Sequence, residues 1–93
     1  ATTDPDTLAV ELALIRRAHA AANSGNHSEA LRILAEHGER FPSGSLATER
    51  EGARAMSLCG AGRTGEGQRA AERFLQAHPG SPLRARVSRA CAE

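Results

Sequence analysis

Apolar residues along this chain recur at spacings of three and four, and no stretch shows the period-two alternation of a half-buried strand. Asp4-Pro5-Asp6 offers an N-cap and a proline for a first helical turn. The Ala- and Leu-rich segment behind it predicts a helix to about Ala22, stopped by Asn23-Ser24-Gly25-Asn26. A second helix is expected from His27 or Ser28, with Ala30, Leu31, Ile33, Leu34, His37 and Phe41 on one face and Pro42 as its terminator. After Ser43-Gly44-Ser45, a third helix runs from about Leu46 to Cys59, with Ala55, Leu58 and Cys59 on one side and Met56 beside them. Gly60, Gly62 and Gly65 break it, and Thr64 is placed to cap a fourth helix from about Gly65 to Ala77. That helix buries Ala70, Ala71, Phe74 and Leu75 and ends at His78-Pro79-Gly80. Ser81-Pro82 then opens a fifth helix over Leu83 to Ala92. The expected fold class is all-α with about five helices.

The pattern also repeats. Gly25, Glu29, Arg32, Pro42 and Leu46 recur 37 positions later as Gly62, Glu66, Arg69, Pro79 and Leu83. Each unit reads as helix, turn, helix and a Pro-terminated exit, and such units bury their apolar faces by stacking on neighbours, which leaves one surface as a groove. The chain is expected to be one domain over residues 1–93, with unit one at about 8–42, unit two at about 46–79 and a terminal helix at about 82–92. Gly67 conflicts locally with its helix, where glycine costs about 1 kcal/mol. It stands where Ala30 stands in unit one, so a close helix approach is expected there.

Composition narrows the packing. Among 93 residues there are 19 Ala, no Trp or Tyr, and only Phe41 and Phe74 as aromatics, so helices approach closely and rely on many small contacts. A domain of this size buries about 60–65% of its unfolded surface and is expected to be modestly stable. All 12 basic residues are Arg and none is Lys, the mark of a GC-rich bacterial codon bias. With 11 acidic residues the net charge is +1, and no run concentrates one sign, so the footprint of a nucleic-acid binder is missing. No stretch approaches the roughly 18–20 apolar residues of a membrane span, so this segment is not expected to insert directly. Nor is there a charged region followed by an apolar one, as in a signal peptide. The chain begins without Met, which reads as an excised domain or a processed segment.

Little in the sequence carries chemistry. Cys59 and Cys91 lie near the C-terminal ends of helices expected to be neighbours, so a disulfide is sterically open to them if their Cα atoms come within about 7 Å. The alternative is two small buried hydrophobes with free thiols. Their spacing of 32 matches no zinc signature. Gly60-Ala61-Gly62-Arg63-Thr64-Gly65 satisfies G-x-G-x-x-G, but it joins two helices and lacks the preceding strand of a dinucleotide fingerprint, so the glycines read as helix breakers. His19, His27, His37 and His78 are scattered, with no i, i+4 pair. No catalytic residue, metal or cofactor is expected. Asn26-His27-Ser28 satisfies a glycosylation sequon within a tight turn, where it reads as accidental.

Counted back from each exit proline, small residues fall at Ala18 and Ala55, turn glycines at Gly25 and Gly62, and further small residues at Ala30 and Gly67. This register, covering residues 8 to 92, resembles the tetratricopeptide repeat. The period is 37 instead of about 34, with the extra residues in the Pro-Ser-Gly-Ser and Pro-Gly-Ser-Pro exits. That longer exit is similar to the repeats of bacterial outer-membrane assembly lipoproteins and Tol-Pal-associated periplasmic proteins. The resemblance implies antiparallel hairpins stacked as a short right-handed solenoid, with the first helix of each unit lining the concave face. Groove positions would be Leu12, Ile15, His19, Glu49, Met56 and Cys59, with Arg86 and Arg89 at the far edge.

Large family aromatics are replaced by Leu14 and Ala21 in unit one and by Glu51 and Leu58 in unit two, which weakens the expected stacking. The implied function is a non-catalytic interaction module that binds a peptide or helix of another protein, its acidic groups meeting the Arg pair. The implied setting is bacterial, with the periplasm or cell envelope ahead of the cytoplasm. The alternative is a homo-oligomer or spacer in which Leu8, Leu12 and Ile15 pack on another segment or a second copy.

Overall fold

Two glycines close the two helical hairpins. In the computed structural model, which describes residues 5–92, α1 (Pro5–Asn23) and α3 (Ala47–Gly60) both end by swinging into the left-handed region, at Gly25 and Gly62, each with φ 84°. A side chain is strained in that conformation, which is why glycine holds both positions. Asn26 N–H donates to the Ala21 carbonyl and Gly25 N–H to that of Ala22; Arg63 to Leu58 and Gly62 to Cys59 repeat the pair. This pair of hydrogen bonds satisfies carbonyls in the last turn of each helix. The chain then turns back into α2 (His27–Arg40) and α4 (Thr64–Ala77), and α5 (Arg84–Ala90) follows the second exit. The fold is all-α, with five helices and no strand among the described residues. The proposed N-cap Asp4 lies outside the described residues.

The exits repeat as closely as the turns. Gly44, Ala47 and Arg50 donate to the carbonyls of Phe41, Gly44 and Leu46, and the same bonds recur from Ser81, Arg84 and Val87. The side chains at this exit differ in a coordinated way. In unit one the Glu11 carboxylate reaches across from α1 and accepts from the backbone N–H groups of Ser45 (3.3 Å) and Leu46 (3.2 Å). A Cβ on Gly44 would collide with that carboxylate. In unit two Thr48 stands in place of Glu11, and Ser81, in place of Gly44, accepts from Leu83 N–H at 3.1 Å with its own hydroxyl. Each exit thus satisfies the same donor by a different side chain.

Two apolar clusters form the core. Leu14, Ile15, Ala18, Ile33, Leu34 and Ala53 join α1, α2 and α3, while Ala55, Leu58, Ala70, Ala71, Phe74, Val87 and Cys91 join α3, α4 and α5. Helix α3 belongs to both, through Ala53 and Ala55. The expected close approach at Gly67 is present: a Cβ there would overlap the Cys59 sulfur and lie 2.9 Å from the Cys59 backbone nitrogen. Cys59 and Cys91 are bonded to each other, with Cα atoms 5.4 Å apart, so the disulfide alternative is the one realised.

Three sequence expectations shift. Arg63, not Thr64, occupies the N-cap of α4, and its guanidinium is held outward by a two-pronged pair with Glu66 (2.8 and 3.0 Å). Gly60 and Gly65 lie inside α3 and α4, leaving Gly62 as the breaker. Helix five is seven residues long and stops at Ala90; beyond Val87 only Cys91 is buried among the described residues.

Candidate functional site

The deepest polar feature links α1, α2 and α3. Glu11 and His37 are fully buried, and His37 Nε2 lies 3.0 Å from Glu11 Oε1. Arg50 Nη1 lies 3.1 Å from His37 Nδ1 and donates at 3.0 Å to the Phe41 carbonyl; Nη2 donates at 3.3 Å to that of Pro42. A guanidinium has only donors, so Nδ1 must accept, and the imidazole proton sits on Nε2, facing Glu11. The arrangement is a neutral imidazole between a carboxylate and a guanidinium, with every buried polar atom engaged. With Glu11 and His37 sealed from solvent and only Arg50 partly exposed, the arrangement orders three helices. Sequence reasoning placed His37 on the inner face of α2 but missed both its partners. The available signal was Glu11 alone in the apolar run Leu8-Ala9-Val10-Glu11-Leu12-Ala13-Leu14-Ile15.

A groove opens between α1, α3 and α5. It encloses about 270 Å³ and is lined by Ala18, Ala22, Leu34, Ala53, Met56 and Ala90, with polar groups from His19, Asn23, His27, Ser57 and Arg86. Helical spacing brings His19 to the edge of the α1 face that also carries Ala18, and α5 sets Arg86 opposite. Burial of the imidazole, and then the nearby Arg86 charge, hold His19 below its ordinary value of 6.5. His19 is therefore an uncharged donor and acceptor at neutral pH. His27 lies flat on the bare backbone at Gly60, where a Cβ would come within 2.6 Å of Cε1. Its buried Nδ1 has no protein hydrogen-bond partner.

The structure therefore brings together His19, Met56 and Arg86 of the expected groove residues. Ile15 is instead in the core, 4% exposed, because α1 is covered on two sides, by α2 and α3, and its buried arc widens to Glu11, Leu14, Ile15 and Ala18. Leu12 is 37% exposed and lies outside the groove lining, as does exposed Arg89. Cys59 is turned toward α5 by its bond to Cys91. His27, Asn23 and Ser57 were not expected at the site. The proximity of His27 follows from the tight turn after Asn23, which folds the start of α2 back beside the end of α1.

No family model, curated protein or solved structure matches the chain. Among the described residues there is no group of three or more His, Cys, Asp or Glu side chains able to hold a metal ion, and no helix is long and apolar enough to cross a membrane.

Proposed function

We propose that the chain is a non-catalytic, tetratricopeptide-repeat-like interaction module of a larger bacterial protein, which receives a peptide or helix of a partner protein in the groove between α1, α3 and α5. The observation that carries this reading is the composition of that groove: a floor of small and flexible apolar side chains (Ala18, Ala22, Ala53, Met56) under convergent polar groups from His19, His27 and Arg86. Methionine and alanine adapt to varied apolar side chains, while the guanidinium selects an acidic group on the ligand. The backbone repetition at both turns and both exits supports the repeat reading. The Cys59–Cys91 bond supports an oxidising compartment, and so the periplasm or envelope over the cytoplasm.

A displayed library of random peptides, selected on wild type and on Met56→Glu, tests this. Wild type is expected to enrich sequences with an acidic residue beside small apolar ones, Met56→Glu to lose them, and Arg86→Ala to weaken them while flattening their salt dependence. Equal enrichment on Met56→Glu, with its helicity intact, would remove the groove from the account. A charge at Ile15 would not serve as the control, since it would enter the core. The exposed Leu8 (40%), Val10 (38%) and Leu12 (37%) of α1 favour a second reading, self-association through that helix. Under it, mass by sedimentation rises with concentration and Leu8→Gln with Leu12→Gln abolishes the rise.

A further inference from the structure

The wall of the groove formed by α5 is the element least able to stand alone. With seven residues it makes about two turns, and an isolated helix of that length does not persist in water. Its N-cap Leu83 provides no side-chain bond, and its first turn holds no acidic residue. Arg84 and Arg86 lie there instead, facing the positive end of the helix dipole. Within α5 only Val87 is buried, and Arg84, Ala85, Arg86, Ser88, Arg89 and Ala90 are exposed. The side-chain contacts to the residues following α5 are long: Gln68 Nε2 donates to the Cys91 carbonyl at 3.5 Å, and the Cys91 sulfur lies 3.5 Å from the Ala55 carbonyl and 3.7 Å from that of Gly67. Besides the Cys59–Cys91 bond, the segment is held by two small buried side chains, Val87 and Cys91, and by Leu83 packed against the same cluster. The groove depends on them, because α5 contributes Arg86 and Ala90 to its lining.

We propose that the Cys59–Cys91 disulfide is a redox latch on the groove: a dithiol reductant that opens it releases α5, removing Arg86 and Ala90 from the wall, while the hairpins of α1 to α4 remain folded. Cys59 is the more exposed of the two cysteines, so the reductant's thiolate attacks Cys59 Sγ. The disulfide breaks, and Cys91 departs as a thiolate that takes up a proton. The reductant's second thiolate then displaces Cys59 from the mixed disulfide. Two electrons pass from the dithiol, which becomes a disulfide, to the two cysteines, which become thiols. The hairpins do not need this bond to stay together. Ala55, Leu58, Ala70, Ala71 and Phe74 still pack between α3 and α4, and the α1–α2–α3 cluster contains neither cysteine. This inference concerns the fold's response to reduction and holds whatever the groove binds.

Hydrogen exchange read by mass spectrometry, on the oxidised chain and on the chain reduced with dithiothreitol, tests the latch. Protection over residues 84–92 is expected to fall at least tenfold on reduction, with residues 11–77 unchanged. In the same samples the His19 imidazole, titrated by NMR, is expected to move up toward its ordinary value as Arg86 leaves. Cys91→Ala is expected to reproduce the reduced state without reductant and to show no further response to dithiothreitol. Equal protection of α5 in both states, or an unchanged His19 titration, would mean that packing alone holds the wall. Loss of protection throughout α1 to α4 would make the disulfide a staple of the whole fold. Either result would overturn the latch.

Discussion

Glu11 and His37 are the residues whose burial most needs explaining, and the internal repeat supplies the explanation by offering the same socket filled two ways. Shifted by 37 positions, Glu11, His37, Gly44 and Arg50 become Thr48, Phe74, Ser81 and Val87. Unit one seals its hairpin with charges that neutralise one another; unit two uses an aromatic ring, a valine and a serine hydroxyl. The ring next to this site changes with it. His37 meets Phe41 at 5.5 Å between centroids, and Phe74 meets His78 at 5.2 Å, so the imidazole and the benzene ring trade places between units. The displaced His78 finds its own glutamate, Glu51, at 3.0 Å on the surface. A buried charge cluster is often no more stabilising than a well-packed apolar replacement, whereas removing one member strands the others. His37→Phe alone should therefore cost about 3–5 kcal/mol. The full unit-two set, E11T/H37F/G44S/R50V, should recover most of that loss. Urea unfolding followed at 222 nm measures both. If the fourfold variant were as unstable as the single one, the two sockets would not be equivalent.

At the scale of helices, the closest contact decides which residue is tolerated. Alanine is a better helix former than glycine by about 1 kcal/mol, so Gly67→Ala should stabilise an isolated α4. In this fold the added methyl group meets the Cys59 sulfur and backbone, and backbone cannot turn aside as a side-chain tip can. We expect a net loss of about 1–3 kcal/mol, the usual cost of overpacking. Ala30→Gly, at the matching point of α2, should cost about 2 kcal/mol, through helix propensity and the loss of a fully buried methyl group. Thermal melts of the oxidised proteins distinguish the two causes: reduction should relieve part of the Gly67→Ala penalty and none of the Ala30→Gly penalty. The helices, their order and both turn glycines were legible in the sequence because each depends on local spacing and on a backbone conformation that few residues adopt. The close approach at Gly67 was legible because the repeat places a small residue, Ala30, at the equivalent position of unit one. Ile15 was misplaced because its environment is set by α3, some forty residues away, and Glu11 was missed because its partners come from two other segments, α2 and the exit that follows it. At the groove, His19, Met56 and Arg86 were implied by the family resemblance, whereas His27 depends on how tightly the first turn closes.

At the scale of the molecule, α3 decides how the parts hold together. The Cα radius of gyration is 12.6 Å, close to the about 12 Å expected of a compact domain of this length, yet the core is divided into two clusters that share only this helix. A stacked array gains much of its stability at the interfaces between units, and here a single helix forms that interface on both sides. Ala53 faces the first cluster and Ala55 the second, two residues apart and therefore on nearly opposite faces of α3. Damage to either face should therefore spread to the other. Ala53→Asp places a carboxylate among Leu14, Ile33 and Leu34, a burial that costs several kcal/mol when the charge is unpaired. Because the buried residues of α4 and α5 pack on α3, and from α1 and α2 only Leu31 is packed against them among the described residues, the second cluster depends mainly on α3. We expect this variant to unfold in one transition, with exchange protection in α4 falling together with that in α1. Retained protection in α4 after α1 has opened would show instead that the α3–α4 hairpin is an independent folding unit and that α3 does not couple the two clusters.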